Sequence, residues 1–235
     1  MTENKDAIGQ AILDYSKQTN ELEIIVASDI CDDDTIPVSY LFRSYDEMPT
    51  IEKLALARCE GKILDIGAAA GIHSSYLKSK GCDVSSIDIS EGSVQYMQSI
   101  GLNAEVQDFK TIKDEKFDTL LLLMNGIGIA GSLDSLEAFL IHAKSVLSPN
   151  GKIICDSTDV QYLYEDDEGG MWVDLNTLYY GNFKFQMRYK EYTTDWFEWL
   201  YADFNSFENA AHNAGLTIEL IHEEENQFLV ELKHK

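Results

Sequence analysis

Cations are scarce in this chain: 18 lysines and arginines stand against 41 aspartates and glutamates, a formal charge of −23. Binding to nucleic acid draws much of its affinity from neutralising phosphates with Lys and Arg, and no basic stretch here could form a groove. A nucleic-acid substrate is therefore excluded, and an anionic membrane surface is disfavoured for the same reason. Only three prolines occur, so no Pro-rich linker divides the chain. The four cysteines, Cys31, Cys59, Cys82 and Cys155, form no close pair and suit neither a disulfide framework nor a zinc site. Apolar runs such as Leu120 to Met124 fall far short of the about 20 residues that a membrane span needs. The opening MTENKDAIGQ lacks the basic and apolar regions of a secretory leader. A reduced, cytoplasmic setting is expected.

What is present argues for a folded protein. The apolar fraction is 45%, and ten Phe, twelve Tyr and three Trp supply core-forming aromatics. A chain of 235 residues suits one α/β domain carrying an elaboration. Runs such as Asp32-Asp33-Asp34 and Glu223-Glu224-Glu225 read as solvated loops that maintain solubility.

The stretch KILDIGAAAGIHSSYLKSKG, Lys62 to Gly81, carries the most information. Ile63, Leu64 and Ile66 read as a buried strand with Asp65 near its carboxyl end. Gly67, Ala68, Ala69, Ala70 and Gly71 follow without a large side chain. Such a turn lets backbone approach a ligand and leaves the N–H groups of the next helix pointing at it. At the carboxyl edge of a parallel sheet this is where nucleotide-like ligands bind. A dinucleotide fingerprint wants G-x-G-x-x-G under a pyrophosphate. Here the pattern is D-x-G-x-A-x-G, and its carboxylate would repel a pyrophosphate but serve an ammonium group. The NAD-linked alternative is disfavoured by that glycine spacing.

Strand and helix signals alternate from there on, which predicts a parallel sheet with helices on both faces. Asp83 to Ile89 reads as the second strand, Ala104 to Gln107 as the third, Phe117 to Met124 as a central strand buried on both sides. Leu133, Leu136, Leu140, Ala143 and Leu147 mark a long helix, after which Pro149-Asn150-Gly151 turns the chain into a strand over Lys152 to Asp156. Before the turn, a helix is expected over Glu3 to Lys17, a β-like stretch over Glu23 to Ala27, then an acidic loop, the aromatic tract Tyr40 to Tyr45, and a helix capped by Thr50. After the fifth strand, Phe183, Phe185, Met187 and Tyr189 alternate with polar residues. They predict inserted antiparallel strands at about 165–204, with flanking pieces near Met171 to Leu175 and Phe197 to Phe204. Asn205 and Glu208 form a capping box for the last helix, and a closing hairpin spans Leu216 to His222 and Gln227 to Leu232. The expected division is a helical and aromatic lid segment over 1–61 and an α/β domain over 62–235.

D-x-G-x-A-x-G, then I-D-I-S ending the second strand, Q-D-F after the third and FDTLLLLMN at the fourth together resemble the class I S-adenosylmethionine-dependent methyltransferases, whose first motif is usually E/D-x-G-x-G-x-G. The resemblance covers about Lys62 to Asp156 and the closing helix and hairpin. It implies a Rossmann-like seven-stranded sheet, S-adenosylmethionine as cofactor and S-adenosylhomocysteine as product. It also implies that the turn residues Asp65, Gly67, Ala68 and Gly71 lie by the methionine moiety. Asp88 would accept from the ribose hydroxyls, Asp108 would meet the adenine amino group, and Ile89 or Phe109 would lie against the ring. Ala69 departs from the motif at its middle glycine, which is tolerable if its φ is negative. Met124 would line the cofactor, and His73, in the first helical turn, would touch ligand or acceptor. Arg43, one of few cations, is the candidate for the methionine carboxylate, since a guanidinium fork matches a carboxylate.

Methyl transfer from a sulfonium needs the acceptor lone pair aligned and water excluded, and a base only if the acceptor must lose a proton. Asn125, at the edge that faces the transferable methyl in this family, is the candidate for orienting the acceptor. CDSTDVQYLY resembles the segment after the fifth strand in glycine and sarcosine N-methyltransferase-like enzymes, making Asp156, Asp159 and Tyr162 candidate acceptor contacts. The Arg and Asn typical of that segment are absent, and an acidic, aromatic mouth would suit a cationic or aromatic acceptor. No metal is expected, although Asn125, Asp156 and Asp159 could meet as oxygen ligands for magnesium. The leading expectation is N- or O-methylation of a small-molecule acceptor. A cofactor-binding subunit, or a protein methyltransferase acting with a partner, is the alternative.

Overall fold

The computed structural model describes residues 5–18, 21–164 and 179–235. Helix α1 (Ala7–Lys17) is followed by strands β1 (Glu23–Ser28) and β2 (Asp34–Pro37). Short 3₁₀ turns then lead to α2 (Thr50–Leu56), β3 (Lys62–Ile66), α3 (Ile72–Ser79), β4 (Asp83–Asp88), α4 (Glu91–Ser99) and β5 (Ala104–Val106). The series continues with β6 (Phe117–Leu122), α5 (Leu133–Ser145), β7 (Leu147–Thr158), β8 (Asn182–Tyr189), β9 (Tyr192–Thr193), β10 (Phe197–Leu200), α6 (Phe204–Asn213), β11 (Leu216–Glu224) and β12 (Gln227–His234).

Seven strands form the main sheet in the order β11-β12-β7-β6-β3-β4-β5. Strands β3 to β7 run parallel, and β12 enters antiparallel to β7. The central strand β6 is apolar on both faces because both are covered. On one face Leu120, Leu122 and Ile153 pack with Leu136, Leu140 and Phe207 of α5 and α6. On the other, Ile63, Leu121 and Ile154 pack with Ile51, Ala55 and Leu77 of α2 and α3. Each fully buried side chain of this size contributes about 1.5–3 kcal/mol. Among the described residues no helix is long and apolar enough to cross a membrane.

The inserted strands join the N-terminal ones. The second sheet runs β10-β8-β1-β2, with β9 on β8, and Val26 faces Met187 across the β1–β8 pair. The expected division at residue 61 separates the N-terminal strands from the insertion, although both were expected over the site as a lid, and they meet in this one layer. Its inner face, with Ile24, Met187 and Tyr189, packs on α1 and on Ala69, Ala70 and Met124 at the tips of the main sheet. The acidic loop expected after β1 is partly strand: Asp34 to Pro37 pairs with Glu23 to Val26, and Pro37 is tolerated because β2 is an edge strand. The stretch Met171 to Leu175 lies outside the described residues.

Three local expectations are corrected. Pro149-Asn150-Gly151 does not start a new strand. The segment is absorbed as an irregularity within β7, whose pairing jumps from Leu147 opposite Phe117 to Lys152 opposite Thr119. Helix α2 starts at Thr50, but Pro49 is its cap and no side chain caps it. For α6 the cap is Asp203, accepting from the Ser206 N–H at 2.9 Å, two residues before the expected Asn205.

Candidate active site

The turn after β3 is fastened to the tip of β4. Gly67 and Ala68 donate their N–H groups to the Ile87 carbonyl at 2.9 and 3.2 Å. Ala69 N–H donates to Asp88 Oδ2 at 2.8 Å, and Ser90 N–H to Asp88 Oδ1 at 2.9 Å. Burial raises the Asp88 carboxyl above its ordinary range, opposed by those two backbone donors. Each oxygen retains a second lone pair. Gly67 and Gly71 both adopt φ +71, where a side chain would be strained. Ala69 also has positive φ, +49, so the condition set for tolerating alanine there, a negative φ, is not met. The bond to Asp88 holds an alanine where the motif usually has glycine. Such a left-handed residue costs about 1–2 kcal/mol.

Asp65, expected beside a ligand's ammonium group, is only 2% exposed and lies behind the turn. Its Oδ2 accepts from the Ser74 hydroxyl at 2.7 Å, and Ser74 Oγ accepts from the Ser86 hydroxyl at 2.8 Å. Burial raises its pKa. It ties α3 to β3 rather than presenting an open carboxylate.

At the neighbouring tips Ile89 is 77% exposed and Asp108 is exposed, with Asp108 Oδ1 accepting from the Lys110 N–H at 2.9 Å. Phe109 is not available to a ring: it is buried in the main core against Phe139 and His142, with centroids 5.3 and 5.0 Å away. Of the two residues expected against the adenine ring, only Ile89 has an open face.

Beyond β6 two consecutive residues are left-handed, Met124 at φ +63 and Asn125 at φ +58. Two side chains from β7 hold this bend. Asp156 Oδ1 accepts from the Gly126 N–H at 3.3 Å, and Asn125 Oδ1 accepts from the Thr158 hydroxyl at 2.7 Å. Asp156 is 2% exposed, so it supports the loop from beneath and cannot be the acceptor contact expected of it. Burial pushes its carboxyl from an ordinary 3.8 up to about 6, against the backbone N–H groups of Asn125 and Gly126. Asp159 is also engaged, accepting from the Tyr180 hydroxyl at 2.8 Å and the Gln161 N–H at 2.9 Å. Tyr162 stands 49% exposed. Among the described residues no three His, Cys, Asp or Glu side chains gather as a metal group.

The lid tract brings Arg43 under Tyr40, its guanidinium 3.8 Å from the ring centre. The guanidinium is buried and paired with Glu52 of α2, whose other oxygen meets His73 Nε2 at 2.8 Å. Arg43 Nε is buried without a partner. Arg43 also borders a cleft of about 320 Å³ with Phe42, Ala70, Ile72, Tyr76 and Tyr96. Sequence reasoning missed Glu52. Its signal was an acid sharing a helix face with Ile51, Ala55 and Leu56, all of which are buried. It also missed Asp6, whose carboxylate accepts from Gly9 N–H in α1 and Gly92 N–H in α4, fixing the first helix beside the β4 tip. Trp199 was missed as well; it lies against Gly128, where an added Cβ would come within 2.2 Å of the indole.

A parallel sheet, a small-residue turn at its carboxyl edge and an acid at the next strand tip define a Rossmann-like fold built for an adenosyl-type cofactor. The profile of the methyltransferase domain family matches residues 39–221. A SAM-dependent methyltransferase from Bacteroides fragilis, solved with S-adenosyl-L-homocysteine, is 38% identical, covers 100% of this chain and 97% of its own, and superposes with a TM-score of 0.92. The CcbJ methyltransferase from Streptomyces caelestis is 12% identical over 81% of this chain and 94% of its own, TM-score 0.61. The sugar N-methyltransferase KedS8 from a Streptoalloteichus species is 12% identical over 84% and 92%, TM-score 0.55. These last two share the fold. No curated protein matches the chain. The chain belongs to the methyltransferase domain family and is an S-adenosylmethionine-dependent methyltransferase.

The residues fit that cofactor. Asp88 keeps lone pairs for vicinal hydroxyls, the turn carries no large side chain, and the unpartnered N–H of Arg43 suits a carboxylate acceptor.

Proposed function

We propose that this methyltransferase acts on a small-molecule acceptor, at nitrogen or oxygen, in a cytoplasmic setting and under the cover formed by the N-terminal segment and the inserted strands. The observation that carries this reading is that second-sheet residues, α1 and Ala69, Ala70 and Met124 share one apolar cluster, with Trp199 seated on Gly128 of the loop after β6. A roof so close to the transfer edge leaves room for a small acceptor and shields it from water. The formal charge of −23 and the aromatic series Phe183, Phe185, Phe197 and Tyr201 of the insertion favour a cationic amine over an acid. Neighbours at 12% identity share the fold, and fold does not give an acceptor.

When bound, S-adenosylmethionine supplies a methyl group on a sulfonium sulfur. Asp88 would hold the ribose hydroxyls, Asp108 the adenine amino group, and Ile89 would cover the ring. Gly67, Ala68, Gly71 and Met124 would bound the methionine side, with Arg43 on its carboxylate and His73 beside it. Asp65 supports that turn from behind. Asn125 would orient the acceptor's lone pair, its amide set by the Thr158 hydroxyl. Tyr162 and Asp159 would stand at the mouth, and Asp156 keeps the Asn125 bend in place. Alignment and exclusion of water then carry most of the rate, as in-line displacement on an activated carbon requires.

The test is direct. The enzyme is incubated with methyl-labelled S-adenosylmethionine and either a metabolite fraction or a macromolecular fraction of a cell extract, and label transfer is followed with release of S-adenosylhomocysteine. Transfer into the metabolite fraction, strongest with amines, is expected. Label entering only macromolecules would refute the reading and point to a protein acceptor.

A further inference from the structure

The buried triad Arg43–Glu52–His73 joins three separate elements. Arg43 comes from the tract between two 3₁₀ turns, Glu52 from the first turn of α2, and His73 from the first turn of α3. All three side chains are almost wholly enclosed. A guanidinium on a long stem has high rotamer freedom when unrestrained. Here each end of one carboxylate is taken, one oxygen by the guanidinium and the other by the imidazole of the helix that opens at the cofactor turn. The Tyr40 ring lies against one face of the guanidinium, and the Tyr40 carbonyl accepts from Arg43 Nη1. Among the guanidinium nitrogens, the one left without any partner is Arg43 Nε.

We infer that Glu52 is a positioning residue for cofactor binding: by bridging Arg43 to His73, it holds the Arg43 N–H in advance where the cofactor's carboxylate arrives. The inference rests on the reading of Arg43 as the carboxylate partner. Holding a rotamer-rich side chain ready spares the ordering that binding would otherwise require, about 0.5–1.5 kcal/mol for such a group, or roughly two- to tenfold in affinity. The bridge depends on span more than on charge. Asp at this position keeps the charge but is one methylene short of reaching both partners. Gln keeps the span, its amide oxygen accepting from Arg43 and its amide N–H donating to His73 Nε2.

The experiment measures S-adenosylhomocysteine binding to the full chain by titration calorimetry, with circular dichroism confirming that each variant is folded at the temperature used. Glu52→Asp is expected to raise the Kd roughly two- to tenfold. Glu52→Gln should bind better than Glu52→Asp despite a lower Tm, because it restores the span. His73→Ala, which leaves the Arg43–Glu52 pair in place, should weaken binding in the same direction and carries the test if Glu52→Asp does not fold. Wild-type affinity in both Glu52→Asp and His73→Ala, with Arg43→Lys clearly impaired, would overturn the positioning role. A better-binding Asp than Gln variant would overturn it too, leaving charge balance as the function of Glu52. Unchanged binding by Arg43→Lys would instead refute the assignment of Arg43 itself.

Discussion

Asp156→Asn tests the energetics of the loop that carries Asn125. The wild-type carboxyl is driven from an ordinary 3.8 to about 6 by burial, so the folded protein binds a proton there that the unfolded chain has lost. A raised folded-state pKa gives stability that is complete below about pH 4 and disappears as pH rises through about 6. At about 1.4 kcal/mol per pH unit, that rise corresponds to ~3 kcal/mol between pH 4 and pH 8. Asparagine cannot ionise, and its Oδ1 can still accept from the Gly126 N–H, which Asp156 receives at 3.3 Å. The amide brings a pH-independent cost of its own, because its N–H₂ is buried. That cost cancels when the same pair of proteins is compared at two pH values. The stability difference, variant minus wild type, is therefore expected to move in the variant's favour by ~3 kcal/mol on going from pH 4 to pH 8. Urea unfolding of both proteins over that range, followed by circular dichroism, measures it. A difference that stays flat with pH would show that Asp156 is not held protonated at mildly acidic pH, and the account of its burial would fail.

Ala69→Gly should raise the melting temperature slightly. It removes about 1–2 kcal/mol of left-handed strain and adds about 0.4–1 kcal/mol of unfolded-state entropy, and calorimetry would see ~1–4 °C; a lower Tm would mean that the Ala69 methyl contributes more than its φ costs. Gly128→Ala drives a Cβ to 2.2 Å from Trp199, so the insertion must lift from the loop after β6. A loss of about 1–3 kcal/mol in urea is expected, and unchanged stability would separate that loop from the cover. Asp88→Asn should weaken S-adenosylhomocysteine binding roughly 10- to 100-fold, because a charge-assisted hydrogen bond contributes about 1.5–3 kcal/mol; wild-type affinity by calorimetry would remove Asp88 from the site.

The parts of the fold that repeat with a period were legible in the chain. The turn from Gly67 to Gly71, the acid at the β4 tip and the unbroken apolar run of β6 each carry a local physical signature, and together they gave the sheet and its cofactor edge. What stayed hidden depends on long-range partners. Nothing near Ala69 announces its positive φ, since the restraint comes from Asp88, nineteen residues on. Phe109 and Asp156 read as site residues from their place at strand ends, but only packing decides which way an end residue faces. Phe109 turns into the core, and Asp156 turns under the loop. Glu52 was visible as a carboxylate on an apolar helix face, without any hint of the guanidinium and imidazole it would meet. The union of β1 with β8 joins residues separated by about 160 positions in the chain, a pairing that no local pattern encodes.

That union has a consequence for how the enzyme comes into being. Val26 and Met187 lie about 160 positions apart, so the sheet that closes over the transfer edge cannot assemble until the whole segment between them exists. Contacts of such wide sequence separation form late and slowly. The α/β platform can thus take shape while its ceiling is still missing. Any event that later peels away the first hairpin would do two things at once: uncover the chamber, and leave β8 with an unpaired edge ready to seize another strand.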